Sequence, residues 1–170
     1  MAEHHPYRFA GMRSGDIVPW QRFLDRYENT FANHYYYNLR VSSNNEPIPG
    51  LPDDLQPIVR SLRKKRIDVV AWGSVEPLTW PRPQFPILDA LNVGVKPQAG
   101  ILTVIEVKKT ASSSALGQLL SYPVLFRPSF DGLKYNPIRV MLVAEKLGAD
   151  MEYLCKWLGV PYLLFPKPKP

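Results

Sequence analysis

Glu106-Val107-Lys108 closes an apolar run, Ile101–Lys108 (ILTVIEVK), that reads as a buried β-strand. Side chains alternate along a strand, so Glu106 and Lys108 leave on one face while Val107 points into the core. A carboxylate beside an ammonium at the end of a buried strand costs desolvation energy, which a bound ion or substrate can offset. Alone, such a tripeptide also occurs as a solvent-facing salt bridge, so its company decides the matter. Asp68 stands at the start of a second apolar run, Ile67–Trp72 (IDVVAW). Paired strands lie roughly 5 Å apart, which lets Asp68 approach Glu106. Two carboxylates and the Val107 carbonyl form a hard, all-oxygen set of the kind Mg²⁺ takes, with waters completing an octahedron. Gln118 and Tyr122, at i and i+4 of the next predicted helix, share one face of it. That helix follows the Glu106 strand directly, so its first half falls near the pair.

The elements that must position these groups are legible at intervals. A helix is expected over Pro19–Ala32, capped by Asp16, with Trp20, Phe23, Leu24, Tyr27 and Phe31 on one face. His34–Val41 reads as a strand, Ser42–Gly50 as a polar loop and Asp53–Leu62 as a short helix interrupted by Pro57. The strands Ile67–Trp72 and Ile101–Lys108 follow, separated by a proline-rich insertion long enough to be functional or flexible. Ser112–Ser114 offer caps to a helix running to about Tyr122, where Pro123 should end or kink it. Ile138–Ala144 is a strand, and Asp150–Leu158 a helix with Met151, Leu154, Cys155 and Leu158 inward and Gly159 as its stop. Tyr162–Phe165 is a last strand. Hairpins early and βα crossovers late predict an α/β fold with a central mixed sheet flanked by helices. The expected organisation is an arm at 1–15, one domain at 16–165 with the insertion at 73–100, and a tail at 166–170.

The chain has 170 residues, 45% hydrophobic and 21% charged, which suits one globular domain and excludes wholesale disorder. No apolar run approaches the ~20 residues of a membrane span, so no membrane partner is expected. The N-terminus shows no secretory pattern, and Cys155 is the single cysteine. These point to a cytoplasmic protein, or a nuclear one in a eukaryote. A net charge of +6 and a pI near 9.5 favour a polyanionic partner.

Asp68, then Glu106-x-Lys108, then Gln118-x-x-x-Tyr122 resembles the motif order of the PD-(D/E)xK nuclease superfamily, most closely its RecB-like branch. The resemblance spans roughly residues 60–145. It implies a restriction-endonuclease-like core and a metal-dependent nuclease acting on nucleic acid, DNA favoured over RNA. It implies Mg²⁺, with Mn²⁺ as a substitute, held by Asp68, Glu106 and the Val107 carbonyl. Lys108 would orient the attacking water or offset transition-state charge; Gln118 would position the nucleophile or a phosphate oxygen, with Tyr122 supporting it. A homodimer is a further expectation, since small nucleases of this fold often pair to cut two strands. This sequence departs from the pattern in having Ile67 rather than proline before Asp68, and in the 38 residues from Asp68 to Glu106. That spacing leaves Asp89 as a rival for the motif aspartate. The branch often adds an acidic or histidine residue from the first helix, for which Glu28 and His34 are positioned.

Further residues carry two readings each. Arg60, Arg63, Lys64, Lys65, Arg66 and Lys109 can track a phosphate backbone or form a solvated surface. Tyr35, Tyr36 and Tyr37 can stack bases or fill the core. Trp72, Trp80 and Trp157 read as core or loop anchors, and Glu145 as a surface residue or a second metal ligand. The same fold could also serve as a catalytically inactive nucleic-acid-binding or assembly module. A plain α/β interaction protein would leave Asp68 and Glu106 apart.

Overall fold

Period-two alternation and β-branched content place the two apolar runs side by side in the middle of a sheet. The computed structural model describes residues 2–5, 8–32, 34–40, 47, 50–73, 101–126 and 138–167. Asp89, Trp80 and nearly all of the proline-rich insertion lie outside these residues. The elements are β1 (Glu3–His5), α1 (Ser14–Phe31), β2 (His34–Arg40), α2 (Gln56–Arg63) and β3 (Arg66–Gly73). After the insertion come β4 (Ile101–Thr110), α3 (Ser113–Phe126), β5 (Ile138–Lys146), α4 (Ala149–Leu158) and β6 (Tyr162–Leu164).

The six strands lie in sequence order, β1-β2-β3-β4-β5-β6. β3 runs antiparallel to both β2 and β4, whereas β1 on β2, β5 on β4 and β6 on β5 are parallel pairs. This is the expected mixed sheet of an α/β protein with helices on both faces. On one face α1 packs Trp20, Phe23 and Leu24 onto Tyr35, Val69, Ile105, Val107 and Val143. On the other, Leu116, Leu119 and Tyr122 of α3 and Met151 and Cys155 of α4 cover Val70, Val104, Leu142 and Ala144. Among the described residues no helix is long and apolar enough to cross a membrane.

Several expectations need correction. The N-terminal segment is more than an arm, because Glu3–His5 adds a parallel edge strand to β2. His4 fastens it, its ring nitrogens 2.6 Å from the Tyr37 hydroxyl and 2.7 Å from Glu28 Oε1. α1 begins at Ser14 with Arg13 in the N-cap position, so Asp16 is not a cap, and Pro19 sits within the helix near its start. Pro123 does not end α3, which runs on to Phe126. Gly159 does stop α4: it is left-handed at φ 66°, and its N–H reaches the Lys156 carbonyl. Trp157 is no core anchor and Leu158 does not face inward, since both are exposed on α4.

Gly11 makes the close approach that joins the N-terminal segment to β2. Its φ is +75°, and a Cβ there would run into the Asn38 side chain. Asn38 itself is left-handed, at φ 56°. Gly117 is the opposite case, exposed on α3, where an added methyl group would meet nothing within 4 Å. Gly11→Ala is therefore expected to cost about 1–3 kcal/mol of unfolding free energy. Gly117→Ala should add up to about 1 kcal/mol. Urea titrations of the two variants against wild type check the opposite signs.

Candidate active site

The ladder between β3 and β4 ends at Val69 opposite Ile105. β4 continues to Thr110 with only β5 beside it, so its later N–H groups on the β3 side need other acceptors. Val107 N–H donates to Asp68 Oδ2 at 3.0 Å, and Lys109 N–H donates to Asp16 Oδ1 at 2.6 Å. Two aspartates thus stand in for the missing strand. One sits at the start of β3 and one in the first turn of α1.

These bonds place Asp68 beside the side chains that β4 presents on the α3 face. Lys108 Nζ lies 2.8 Å from Asp68 Oδ2 and 2.8 Å from Glu106 Oε1, and it donates to the Val107 carbonyl at 3.0 Å. The structure therefore brings Asp68, Glu106, Lys108 and the Val107 carbonyl to one point. The two carboxylates are separated by no more than the span of that shared ammonium. Val107 itself is buried, as the alternation requires.

Burial and neighbouring charge set the electrostatics. Glu106 is 1% exposed, and its carboxyl pKa is pushed up to about 7 by burial and then by the Asp68 charge, with Lys108 pulling the other way. Asp16 adds a smaller upward push. Burial lowers the Lys108 pKa, but the Asp68 and Glu106 carboxylates outweigh it and hold the ammonium above its ordinary value. Burial, then the charges of Glu106 and Asp68, push the Tyr122 phenol far up. Its hydroxyl lies 3.2 Å from Gln118 Oε1 and 3.4 Å from the Arg66 carbonyl. With Oε1 turned to Tyr122, the Gln118 amide nitrogen is left as the donor.

The residues present fit a small divalent cation. Their oxygens are hard, they converge on a cation already, and Glu106 Oε2 is buried without a hydrogen-bond partner. Among the described residues no cluster of three or more His, Cys, Asp or Glu side chains could hold a metal ion. The oxygens that converge here are two carboxylates and one carbonyl.

Other expectations fare differently. Lys64, Lys65, Arg66 and Lys109 are exposed at the end of the sheet that carries Asp68 and Lys108, and Arg60 is exposed on α2, which leads to it. Arg63 closes α2 there, its side chain lying outside what is described. Glu28 and His34 are not at the site. Glu28 pairs with His4 and, at 3.4 Å, with Arg8. His34 is matched with Trp72 at the opposite end of β3. Tyr35, Tyr36 and Tyr37 are buried, so they offer no surface for stacking. Glu145 is not a surface residue either; it is 3% exposed, with Oε1 unpartnered. Asp16 is a site neighbour that the sequence does not announce. Its one signal is a carboxylate on the same helical face as Trp20, Phe23 and Leu24, where a cap has no reason to lie.

No family model matches the chain, and no curated protein matches it. Two solved structures of EndoMS are similar to it in part. EndoMS in its apo form shares 25% identity over 41% of this chain and 29% of that one, with a TM-score of 0.32. EndoMS in complex with double-stranded DNA shares 14% identity over 94% of this chain and 48% of that one, with a TM-score of 0.42. The chain spans less than half the length of either.

The raised Glu106 pKa has a stability consequence. In the unfolded chain this carboxyl releases its proton near pH 4.5, and in the folded chain near pH 7. Between those values the folded state holds more proton, so the contribution of Glu106 to stability falls as pH rises through the window. Metal-free Glu106→Gln is expected to gain on wild type from about pH 5 to about pH 8, by on the order of 2–3 kcal/mol. Guanidinium melts in EDTA across that range check it, and parallel stability profiles would count against the shift.

Proposed function

We propose that this chain is a divalent-metal-dependent nuclease that hydrolyses phosphodiester bonds of nucleic acid, DNA in preference to RNA. The observation that carries the reading is the convergence of Asp68 Oδ2, Glu106 Oε1 and the Val107 carbonyl on one cationic group, within 3.0 Å. That cradle lies at the splayed end of the sheet, where β3 has left β4. The order Asp68, Glu106-x-Lys108, Gln118-x-x-x-Tyr122 on strand, strand and helix supports the same reading, within a restriction-endonuclease-like core.

Asp68, Glu106 and the Val107 carbonyl would hold Mg²⁺ or Mn²⁺. When bound, such an ion supplies Lewis acidity, acidifying water and offsetting charge on phosphoryl oxygens. Asp68 keeps its orientation because it also caps Val107 N–H. Buried Glu106 gains a compensating charge for an oxygen that otherwise has none. Lys108 provides a cation for the phosphate, and the Gln118 amide, whose oxygen is taken by the Tyr122 hydroxyl, provides a neutral donor to a phosphate oxygen or the attacking water. Arg13, Arg40, Lys64, Lys65, Arg66, Lys109 and Lys146 are exposed around the same end of the sheet. They form a positive rim for a polyanion.

Labelled single- and double-stranded DNA and RNA, incubated with Mg²⁺ or Mn²⁺, test the reading. Asp68→Asn is preferable to Asp68→Ala because it keeps an acceptor for Val107 N–H. Asp68→Asn, Glu106→Gln and Lys108→Ala are each expected to lower the metal-dependent rate by at least about two orders of magnitude. No cutting of any substrate by folded wild type, with nucleic acid still bound, would replace the enzyme by a binding module. Lys65→Ala and Lys109→Ala are expected to weaken binding of every sequence alike. Each should also lower the steepness of binding against log salt by about one. An unchanged salt slope in both would remove these lysines from the interface.

A further inference from the structure

The ammonium of Lys108 occupies the seat that the cradle offers a metal ion. Its three neighbours, Asp68 Oδ2, Glu106 Oε1 and the Val107 carbonyl, are the same three oxygens that form the cradle. Mg²⁺ sits about 2.0–2.1 Å from oxygen, shorter than any of these contacts, so the ion would lie inside the volume the ammonium fills. Both cations cannot be held there at once. We propose that Lys108 is a displaceable occupant of the metal cradle, expelled when the metal enters and thereby delivered to the phosphate. This rests on the metal-dependent reading above and specifies how its lysine is used.

Three features support displacement rather than coexistence. Charge favours the exchange: with both carboxylates ionised, the ammonium leaves one unit of negative charge, and a dication cancels it. Geometry allows it, because the Lys108 side chain is 26% exposed and a flexible four-carbon stem can swing without moving backbone. The backbone itself is held, with Lys108 in register with Ala144 of β5. Coordination completes it, since the ammonium leaves Glu106 Oε2 without a partner, whereas an octahedral ion still has positions to fill. Until the ion arrives, the ammonium keeps two like-charged carboxylates together. A displaced ammonium remains tethered one residue beyond the metal-binding carbonyl, which is where a phosphate bound to the ion would meet it.

Amine reactivity reads this directly, on the whole protein with Mg²⁺ alone and no nucleic acid. Lysines are acylated briefly in EDTA and in saturating Mg²⁺, and modification at each position is read by mass spectrometry. Exposed Lys109 serves as the internal standard. Modification of Lys108 is expected to rise about tenfold or more with Mg²⁺, the release of charge-assisted hydrogen bonds, while Lys109 stays constant. Saturation is set by a Mg²⁺-dependent rise in melting temperature that Glu106→Gln abolishes. If the rise occurs and Lys108 stays protected, the displacement is wrong and the metal site stands. If no rise occurs at any Mg²⁺ concentration, the metal-dependent reading and the displacement both fall. A second measurement uses Lys108→Met, which lacks the competing group: it should bind Mg²⁺ at least about tenfold more tightly by calorimetry. Equal affinity would overturn the competition.

Discussion

A backbone amide that loses its neighbouring strand must find another acceptor, and on β4 two successive outward amides find aspartates. The site depends on this substitution. Because β3 pairs with β4 only from Val69 onward, Val107 and Lys109 present N–H groups with no strand beside them, and Asp68 and Asp16 accept from them. A carboxylate fixed by a backbone hydrogen bond has little freedom left. Asp68 is thereby held against the side chains on either side of Val107, one carboxylate and one ammonium. What reads as a catalytic constellation is also the termination of a β-ladder.

The surrounding packing keeps that termination rigid. α1 lays Trp20, Phe23 and Leu24 across one face, beneath which Val107 is buried. Asp16, on the same stripe of α1, reaches the strand end from that side. α3 lays Leu119 and Tyr122 over the other face, next to Glu106. The site therefore sits between two helices and a central strand rather than on loops, which suits chemistry that needs fixed geometry. Its open side is toward solvent at the splayed end, where the cationic rim begins.

The central strands were legible because their apolar runs are long and bounded, and the mixed order of the sheet followed from them. Glu106 and Lys108 were legible as a pair because alternation along a strand admits one arrangement. What escaped had weak or misleading local signals. β1 is three residues of Glu-His-His, held by His4 to Tyr37 and Glu28, partners remote in sequence. Asp16 looks like a helix cap because aspartate before an apolar stripe usually is one; its true acceptor role depends on where the pairing of β3 with β4 ends. Pro123 looked like a stop, yet its missing N–H and ring are tolerated within α3. Leu158 reads as an inward position and Trp157 as a core or loop anchor, but both stand exposed on α4. The three tyrosines of β2 are all buried, Tyr35 and Tyr37 on the face that α1 covers and Tyr36 in the core of the opposite face.

The double duty of Asp68 changes how the retention of such residues should be weighed as a lineage drifts. A protein of this shape that gave up chemistry would still be under pressure to keep an acceptor for the Val107 amide, so this aspartate can outlive any reaction. Glu106 has no such second employment. Its buried oxygen without a partner is a standing cost to the fold, and neutral change would remove it early. In comparing descendants of this chain, the glutamate is the informative position: where it persists, something must offset that cost.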